Sequence, residues 1–285
     1  MKERWTWIFV VGSAVVLWAL GTLAGGASSE IQQPNTLTER EKAAGWKLLF
    51  DGRTMRGWHD PRQMQPPGDG WTVEDGCLRT LPNPRIREDL ISEEKFGDFE
   101  LEFEWKLSAR GNSGVKYLVQ DQVVLEEGKL NPQARRFEDL VEYELRERKS
   151  GRGKIEPNHR AEVYVIGFEY QLIDEGHPDA RRGPDRRTGA IYSLLAPQQP
   201  VECDVARFNR SRIVLRGEQV EHWLNGVKIL EARLDSEEIR KKVAARWGED
   251  SAVGALLIHH RRPAPIALQH HNDVVWFRNI KIRPL

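Results

Sequence analysis

Leu101, Phe103, Trp105 and Leu107 alternate with Glu100, Glu102, Glu104 and Lys106 in a strict period of two. Successive side chains of a β-strand point to opposite faces, so this stretch separates its apolar from its charged residues only as a strand with one dry and one wet face. The same alternation runs through Val115-Lys116-Tyr117-Leu118-Val119, Phe168-Glu169-Tyr170-Gln171-Leu172 and Ile213-Val214-Leu215. Val220-Glu221-His222-Trp223-Leu224, then Asn225-Gly226, then Val227-Lys228-Ile229-Leu230 predicts a hairpin, because Asn-Gly accepts the positive φ angles of a two-residue turn. Two more strands are expected around 266–269 and 275–282. Many short strands with few helical stretches indicate an all-β protein, a sandwich of two antiparallel sheets.

Helical spacing occurs twice. Phe137, Leu140, Val141 and Leu145 predict a charged amphipathic helix within 131–149, and Ile239, Val243 and Trp247, capped by Ser236, predict another over 235–247. Gly, Pro and Arg crowd 176–187, which reads as a surface loop. Lys and Arg together number 43, as do Asp and Glu, so no uniformly basic field exists to hold nucleic acid or an acidic membrane. Ten Trp, nine Phe and five Tyr belong to a folded chain. Cys77 and Cys203 are too few for a disulfide framework or a four-cysteine zinc site.

Residues 5–27 are uncharged and follow Lys2 and Arg4. They read either as a signal peptide cleaved among the small residues at 23–28 or as a retained N-terminal anchor. In both cases the remainder is expected outside the cytoplasm, in the periplasm or beyond, and any membrane contact is through this segment. Residues 28–44 read as a linker, and the domain is expected over 45–285.

A series of local signatures fills that domain. In order they are Trp46-Lys47-Leu48-Leu49-Phe50-Asp51-Gly52, Trp71-Thr72-Val73-Glu74-Asp75-Gly76, Gly97-Asp98-Phe99-Glu100-Leu101, Gly111-Asn112-Ser113-Gly114-Val115, Gly167-Phe168-Glu169-Tyr170-Gln171-Leu172-Ile173-Asp174, Thr188-Gly189-Ala190-Ile191-Tyr192, His222-Trp223-Leu224-Asn225-Gly226, Leu268-Gln269-His270-His271 and Phe277-Arg278-Asn279-Ile280-Lys281-Ile282. The set resembles the 3-keto-disaccharide hydrolase family, formerly a domain of unknown function. The resemblance implies a concanavalin A-like jelly roll and cleavage of glycosides oxidised at C3, by net hydrolysis or by a lyase step followed by hydration. The chain departs from the family's pattern in an insertion at about 120–162, in the arginine-rich loop after Asp174, and at Leu118.

A 3-keto group acidifies the C2 proton, so such a site needs a base at C2, a donor or cation at the C3 oxygen and an acid for the leaving group. Alternation puts Glu169 and Gln171 opposite the core-facing Phe168, Tyr170 and Leu172, and puts Gln269 and His271 on one face. His271 also occupies the family's histidine position. Glu169 and His271 are therefore read as the catalytic acid/base pair, with Gln171 and Gln269 beside them on the substrate. Lys116 and Glu104 are expected to face away from the core, toward the cleft or into a cross-strand ion pair. Trp223 could offer its ring to a sugar or fill a sheet surface. Asn112 sits in a Gly-flanked turn, Tyr192 follows Gly189, and Asp174 ends its strand; each is a candidate substrate contact with a structural alternative.

The residues establish no cofactor; the candidate is a divalent metal at His271 and Glu169, with His259, His260 and His270 near in sequence. The partner implied is a carbohydrate, not nucleic acid. The competing reading is a lectin-like carbohydrate-binding module without catalysis. A retaining glycosidase is disfavoured, because Glu169 is followed two residues later by Gln171, which cannot be a carboxylate nucleophile.

Overall fold

The computed structural model describes residues 33–61, 69–147, 155–199 and 201–285. The segment 5–27 read as a signal or anchor lies outside them, and among the described residues no helix is long and apolar enough to cross a membrane. In chain order the strands are β1 (Lys47–Leu48), β2 (Trp58–His59), β3 (Trp71–Glu74), β4 (Cys77–Thr80), β5 (Ile86–Glu88), β6 (Leu90–Ser92), β7 (Phe99–Leu107), β8 (Asn112–Glu126), β9 (Ala161–Ile173), β10 (Asn209–Arg216), β11 (Gln219–Leu224), β12 (Val227–Arg233), β13 (Ala267–Leu268) and β14 (Val275–Pro284). The helices are α1 (Glu39–Ala43), α2 (Phe137–Glu147), α3 (Glu237–Trp247) and α4 (Ala252–Ile258). One sheet runs β12-β11-β10-β7-β14-β4-β3 with β1 beside β14, and the other runs β2-β6-β13-β8-β9-β5. They pack as a concanavalin A-like sandwich in which, among the described residues, only the β5–β9 edge pair is parallel.

The alternation of β7 shows what holds the sandwich. Phe99, Leu101, Phe103, Trp105 and Leu107 are buried, while Glu100 pairs with Arg212 and Arg283, Glu102 with Arg210 and Lys281, and Glu104 with Arg278. Burying a large apolar side chain is worth about 1.5–3 kcal/mol, whereas Glu100 and Glu102 are themselves buried under their cations and a buried ion pair is a weak source of net stability, so the dry face sets the strand's position. The charged face fixes register instead, since Glu100, Glu102 and Glu104 each meet cations on β10 or β14. The hairpin forms as expected, with Asn225 at φ 49° and Gly226 at φ 86° and Leu224 facing Val227.

Polar groups tie the two sheets through the core. Trp105 Nε1 donates to Ser211 Oγ (2.8 Å), Ser211 Oγ donates to the Tyr170 hydroxyl (3.0 Å), and that hydroxyl donates to the Trp223 carbonyl (3.0 Å). His222, fully buried, donates from Nδ1 to the Gly189 carbonyl (2.9 Å), leaving Nε2 to accept from the Tyr117 hydroxyl (3.2 Å). Gly189 cannot carry a side chain there: its φ is +85° and a Cβ would sit 2.0 Å from Ile229 Cδ1.

Several expectations are corrected. Strand β8 continues to Glu126 and β9 starts at Ala161, so the segment 120–162 opens and closes in strand; a bulge between Tyr117 and Asp121, with Leu118 at φ 51°, breaks the simple alternation. Within the insertion the helix spans Phe137–Glu147. Helix α4 was not anticipated, because its run Ala-Val-Gly-Ala-Leu-Leu-Ile has no polar residues to reveal a period; Ser251 caps it by accepting from the Gly254 N–H. The linker is not free from residue 33 onward. Asn35 exchanges hydrogen bonds with Asn279 and donates to the Gly76 carbonyl, α1 is closed by a Thr38/Glu41 capping box, and Glu41 pairs with Lys281. Both cysteines are free thiols.

Burial lowers the His222 pKa to about 4, from an ordinary value near 6.5. Below pH 6.5 the unfolded chain binds a proton there that the folded chain resists, so stability falls as pH drops through that window, by on the order of 3 kcal/mol in all. In urea unfolding between pH 6.5 and 4.5, His222→Gln should show a clearly shallower loss than the parent chain. Equal slopes would mean that His222 is not buried as the neutral ring.

Candidate active site

The β8–β9 register builds the site. Lys116 lies opposite Glu169 and Gly114 opposite Gln171, while Val115, Tyr117, Phe168, Tyr170 and Leu172 point into the core. Period two then turns Asn112, Gly114, Lys116, Glu169 and Gln171 to the other face of the sheet. The chain leaving β13 extends this surface, as the Gln269 N–H donates to the Gly114 carbonyl (2.9 Å). Asn112, Glu169, Gln171, Gln269 and His271 line one cleft of about 510 Å³, together with Tyr164, Tyr192, Arg246 and residues of the insertion and the arginine-rich loop. Gly114 makes room for the carboxyl: a Cβ there would lie 2.5 Å from Glu169 Oε1.

Glu169 is buried on the cleft floor and lacks an ion pair among the described residues. Gln269 Nε2 donates to its Oε2 (3.1 Å), and the hydrogen-bond network turns the Gln171 amide nitrogen to its Oε1 (2.9 Å) and to the Ser113 carbonyl (3.1 Å). Beside it on β8, Lys116 is buried and gives its ammonium to Asp89 Oδ2 (2.8 Å); Asp89 Oδ1 accepts the His270 N–H (2.9 Å). Two buried carboxyls thus share one ammonium, and Asp89 holds it. Burial raises the Glu169 pKa, the charges of Lys116 and Arg246 only partly offset this, and Asp89 adds to the rise. Burial alone would lower the Lys116 pKa, but Asp89 and Glu169 hold it above the ordinary lysine value. The result is a carboxyl poised to exchange a proton and held by two amides.

The other expected residues divide. With Gln171 so turned, its amide oxygen faces the Asn112 side-chain amide at 3.2 Å, and Asn112 must present its nitrogen there to donate. Lys116 is a correction: it does not line the cleft but is buried beside Glu169 on the neighbouring strand, bonded to Asp89. Glu104 is another, since it stands on the outer face of the opposite sheet, bonded to Arg278 (2.7 Å). Trp223 shares that outer face, under the Arg212 guanidinium at 4.0 Å, and does not line the cleft. Asp174 ends β9 by accepting from the N–H groups of Arg110 and Gly176 and borders a separate hollow beside Cys203. Tyr192 lines the cleft, but its hydroxyl donates to Asp179 (2.8 Å) and accepts from Arg186 (2.6 Å), so it anchors those two and is not a free acid.

The expected histidine cluster does not form. His270 is buried beside Trp71 and bonds the Leu81 carbonyl, His260 pairs with Glu218, and His259 is exposed. His271 instead meets His177 and Asp273, whose ligand atoms lie within 4.8 Å of one another. These three could hold a cation at the cleft's edge; Glu169, held by its amides, is not among them. His177 Nδ1 accepts the Asp179 N–H (3.0 Å), so a cation ligated at Nε2 would require the ring's other tautomer. Burial and the neighbouring His271 lower the His177 pKa, favouring the neutral ring that ligation needs.

Sequence reasoning missed Asp89, Tyr164, Asp179, Arg246, His177 and Asp273. Asp89 sits between two three-residue strands, too short to show a period. Arg246 had a usable signal, because it adjoins Trp247 in the last turn of α3, where the helix meets the core.

Fold and site together define a concanavalin A-like sandwich whose cleft carries a buried carboxyl with a raised pKa, two amides and a histidine. The chain belongs to the family of 3-keto-alpha-glucoside-1,2-lyase-like domains, whose model matches residues 45–283. It is 29% identical over 258 residues to a 3-keto-disaccharide hydrolase of Bacteroides thetaiotaomicron, covering 85% of this chain and 79% of the relative. A crystal structure of a candidate glycosyl hydrolase from Parabacteroides distasonis superposes with a TM-score of 0.64 at 25% identity, covering 89% of this chain and all of the other. A second from the same organism gives 0.54 at 22% identity, covering 84% and 99%.

Asp89→Asn should lower the Glu169 pKa, because it removes a neighbouring negative charge and leaves Glu169 as the carboxylate nearest Lys116. Removing one member of the buried pair should also cost on the order of 3–5 kcal/mol of stability. Carbon-detected NMR titration of the Glu169 carboxyl checks the sign; a raised or unmoved value would contradict the shared-ammonium arrangement.

Proposed function

We propose that the protein is a carbohydrate-active enzyme that cleaves 3-keto-glycosides or 3-keto-disaccharides by elimination and hydration. The observation that carries this reading is Glu169, a buried carboxyl with a raised pKa and no cation bonded to it, on the floor of a polar cleft. A module that only binds sugar has no use for such a group. The family match and the relative's name support the same substrate class.

In the proposed reaction ionised Glu169 removes the C2 proton of the 3-keto ring. The C–H electron pair forms the C2–C3 enolate, whose developing oxygen charge faces the Arg246 guanidinium. As the carbonyl re-forms, the C1–O bond breaks and protonated His271 gives its proton to the leaving oxygen. Water then adds across C1 and C2, giving the free 3-keto sugar and a net hydrolysis. Gln171 and Gln269 keep the carboxyl aimed, and the Gln269 Oε1, buried without a partner among the described residues, is available to a substrate hydroxyl.

A chromogenic 3-keto-glucoside should be turned over and its unoxidised parent left intact; equal turnover of both would sink the mechanism. Glu169→Gln should lower turnover by about 100-fold or more while unfolding cooperatively. Because burial raises the Glu169 pKa, the acid limb of the rate profile should lie above the ordinary carboxylate range. His271→Ala should cost about 100-fold in rate, whereas His270→Ala should act through stability. A well-folded but inactive His270→Ala would reverse the assignment. The proposal also places the domain outside the cytoplasm, behind residues 5–27, and fractionation of cells expressing the full chain tests that placement.

A further inference from the structure

We infer that the cleft takes substrates carrying an anionic oxo group, a carboxylate or a sulfate ester, on the moiety beyond the reacting ring. This deepens the proposed function and rests on it. The chain has equal numbers of basic and acidic residues, yet the cleft is lined by five arginines (135, 136, 182, 186 and 246) against three acids (Glu138, Glu169 and Asp179). The arginines arrive from separate parts of the chain: two precede α2 in the insertion, two come from the arginine-rich loop and one from the end of α3. The insertion and that loop, both read from the sequence as departures from the family's pattern, each bring guanidinium groups to this one cleft.

Internal pairing does not exhaust these charges. Arg246 pairs with Glu138, and Arg136 with Asp139. Asp179 serves both Arg182 and Arg186 and also accepts the Tyr192 hydroxyl. Arg135 has no side-chain hydrogen bond or ion pair among the described residues, and Arg182 keeps 67% of its side chain exposed. In the proposed reaction Arg246 and the floor residues of the sheet engage the reacting ring, so the other four arginines, on the insertion and the arginine-rich loop, are left to what extends beyond it. A guanidinium presents paired N–H donors that match a carboxylate or sulfate. A neutral aglycone would leave the donors of Arg135 and Arg182 to water.

The test compares matched 3-keto-disaccharides whose second sugar is glucuronate, 6-O-sulfoglucose, glucose or the methyl ester of glucuronate. The anionic pair should exceed the neutral pair by roughly tenfold or more in kcat/KM, mainly through KM, and the preference should shrink in 1 M salt. The better of the two anions identifies the group. Arg135→Gln combined with Arg182→Gln should remove the preference while leaving turnover of the neutral substrates unchanged. Anionic and neutral substrates within twofold of each other would overturn the inference and leave the reaction standing. Calorimetry with the unoxidised glucuronate disaccharide and its methyl ester needs no chemistry: charge-dependent binding lost in the double variant, with no 3-keto substrate turned over, would keep the anion subsite and refute the reaction.

Discussion

One buried ammonium, Lys116, attracts two buried carboxyls, Asp89 and Glu169, and the character of the cleft follows from which of them it joins. Asp89 takes the direct bond and Glu169 is left with amide donors and distant charge. Were the partners exchanged, Glu169 would be a salt-bridged carboxylate, too weak a base to be useful near neutral pH. Asp89 is held in place by the His270 N–H, so the segment that delivers His271 to the cleft also fixes the partner of Lys116. A buried ion pair is a poor source of net stability, and its retention here matches a role in tuning its neighbour.

That arrangement depends on backbone precision. Lys116 faces Glu169 only while β8 and β9 keep their register, and the bulge beginning after Tyr117 confines the irregularity to one side of the site. Gly114 leaves the space that the Glu169 carboxyl fills. Behind the sheet, Tyr117 and Tyr170 reach His222 and Ser211 of the opposite sheet, so the floor of the cleft is braced by hydrogen bonds as well as by apolar packing. A one-residue slip would turn Glu169 into the core and Phe168 into the cleft.

Alternation in β7 and the Asn225-Gly226 turn made the sandwich legible from the residues, and parity in β9 was enough to turn Glu169 and Gln171 away from the core. Parity has a limit that explains the errors. A sandwich has two outer faces, and period two cannot tell them apart: Glu104 and Trp223 do face away from the core, but on the sheet that lacks this cleft. Asp89 and Arg246 were hidden for another reason, since their roles arise from contacts between segments far apart in the chain. The docking of residues 33–44 was hidden likewise, because it rests on single side chains such as Asn35 and Glu41 and has no apolar pattern.

The central claim is that Glu169 takes a proton from C2 before the C1–O bond breaks. Its most direct measurement is turnover of a 3-keto-glycoside in deuterated water, with early product examined by mass spectrometry and NMR against a control for exchange of free 3-keto sugar. Elimination followed by hydration requires a solvent deuteron at C2 of each product molecule, formed at a rate that collapses in Glu169→Gln. Product that keeps its original hydrogen at C2 would show that the glycosidic bond is broken by direct displacement and would contradict the account.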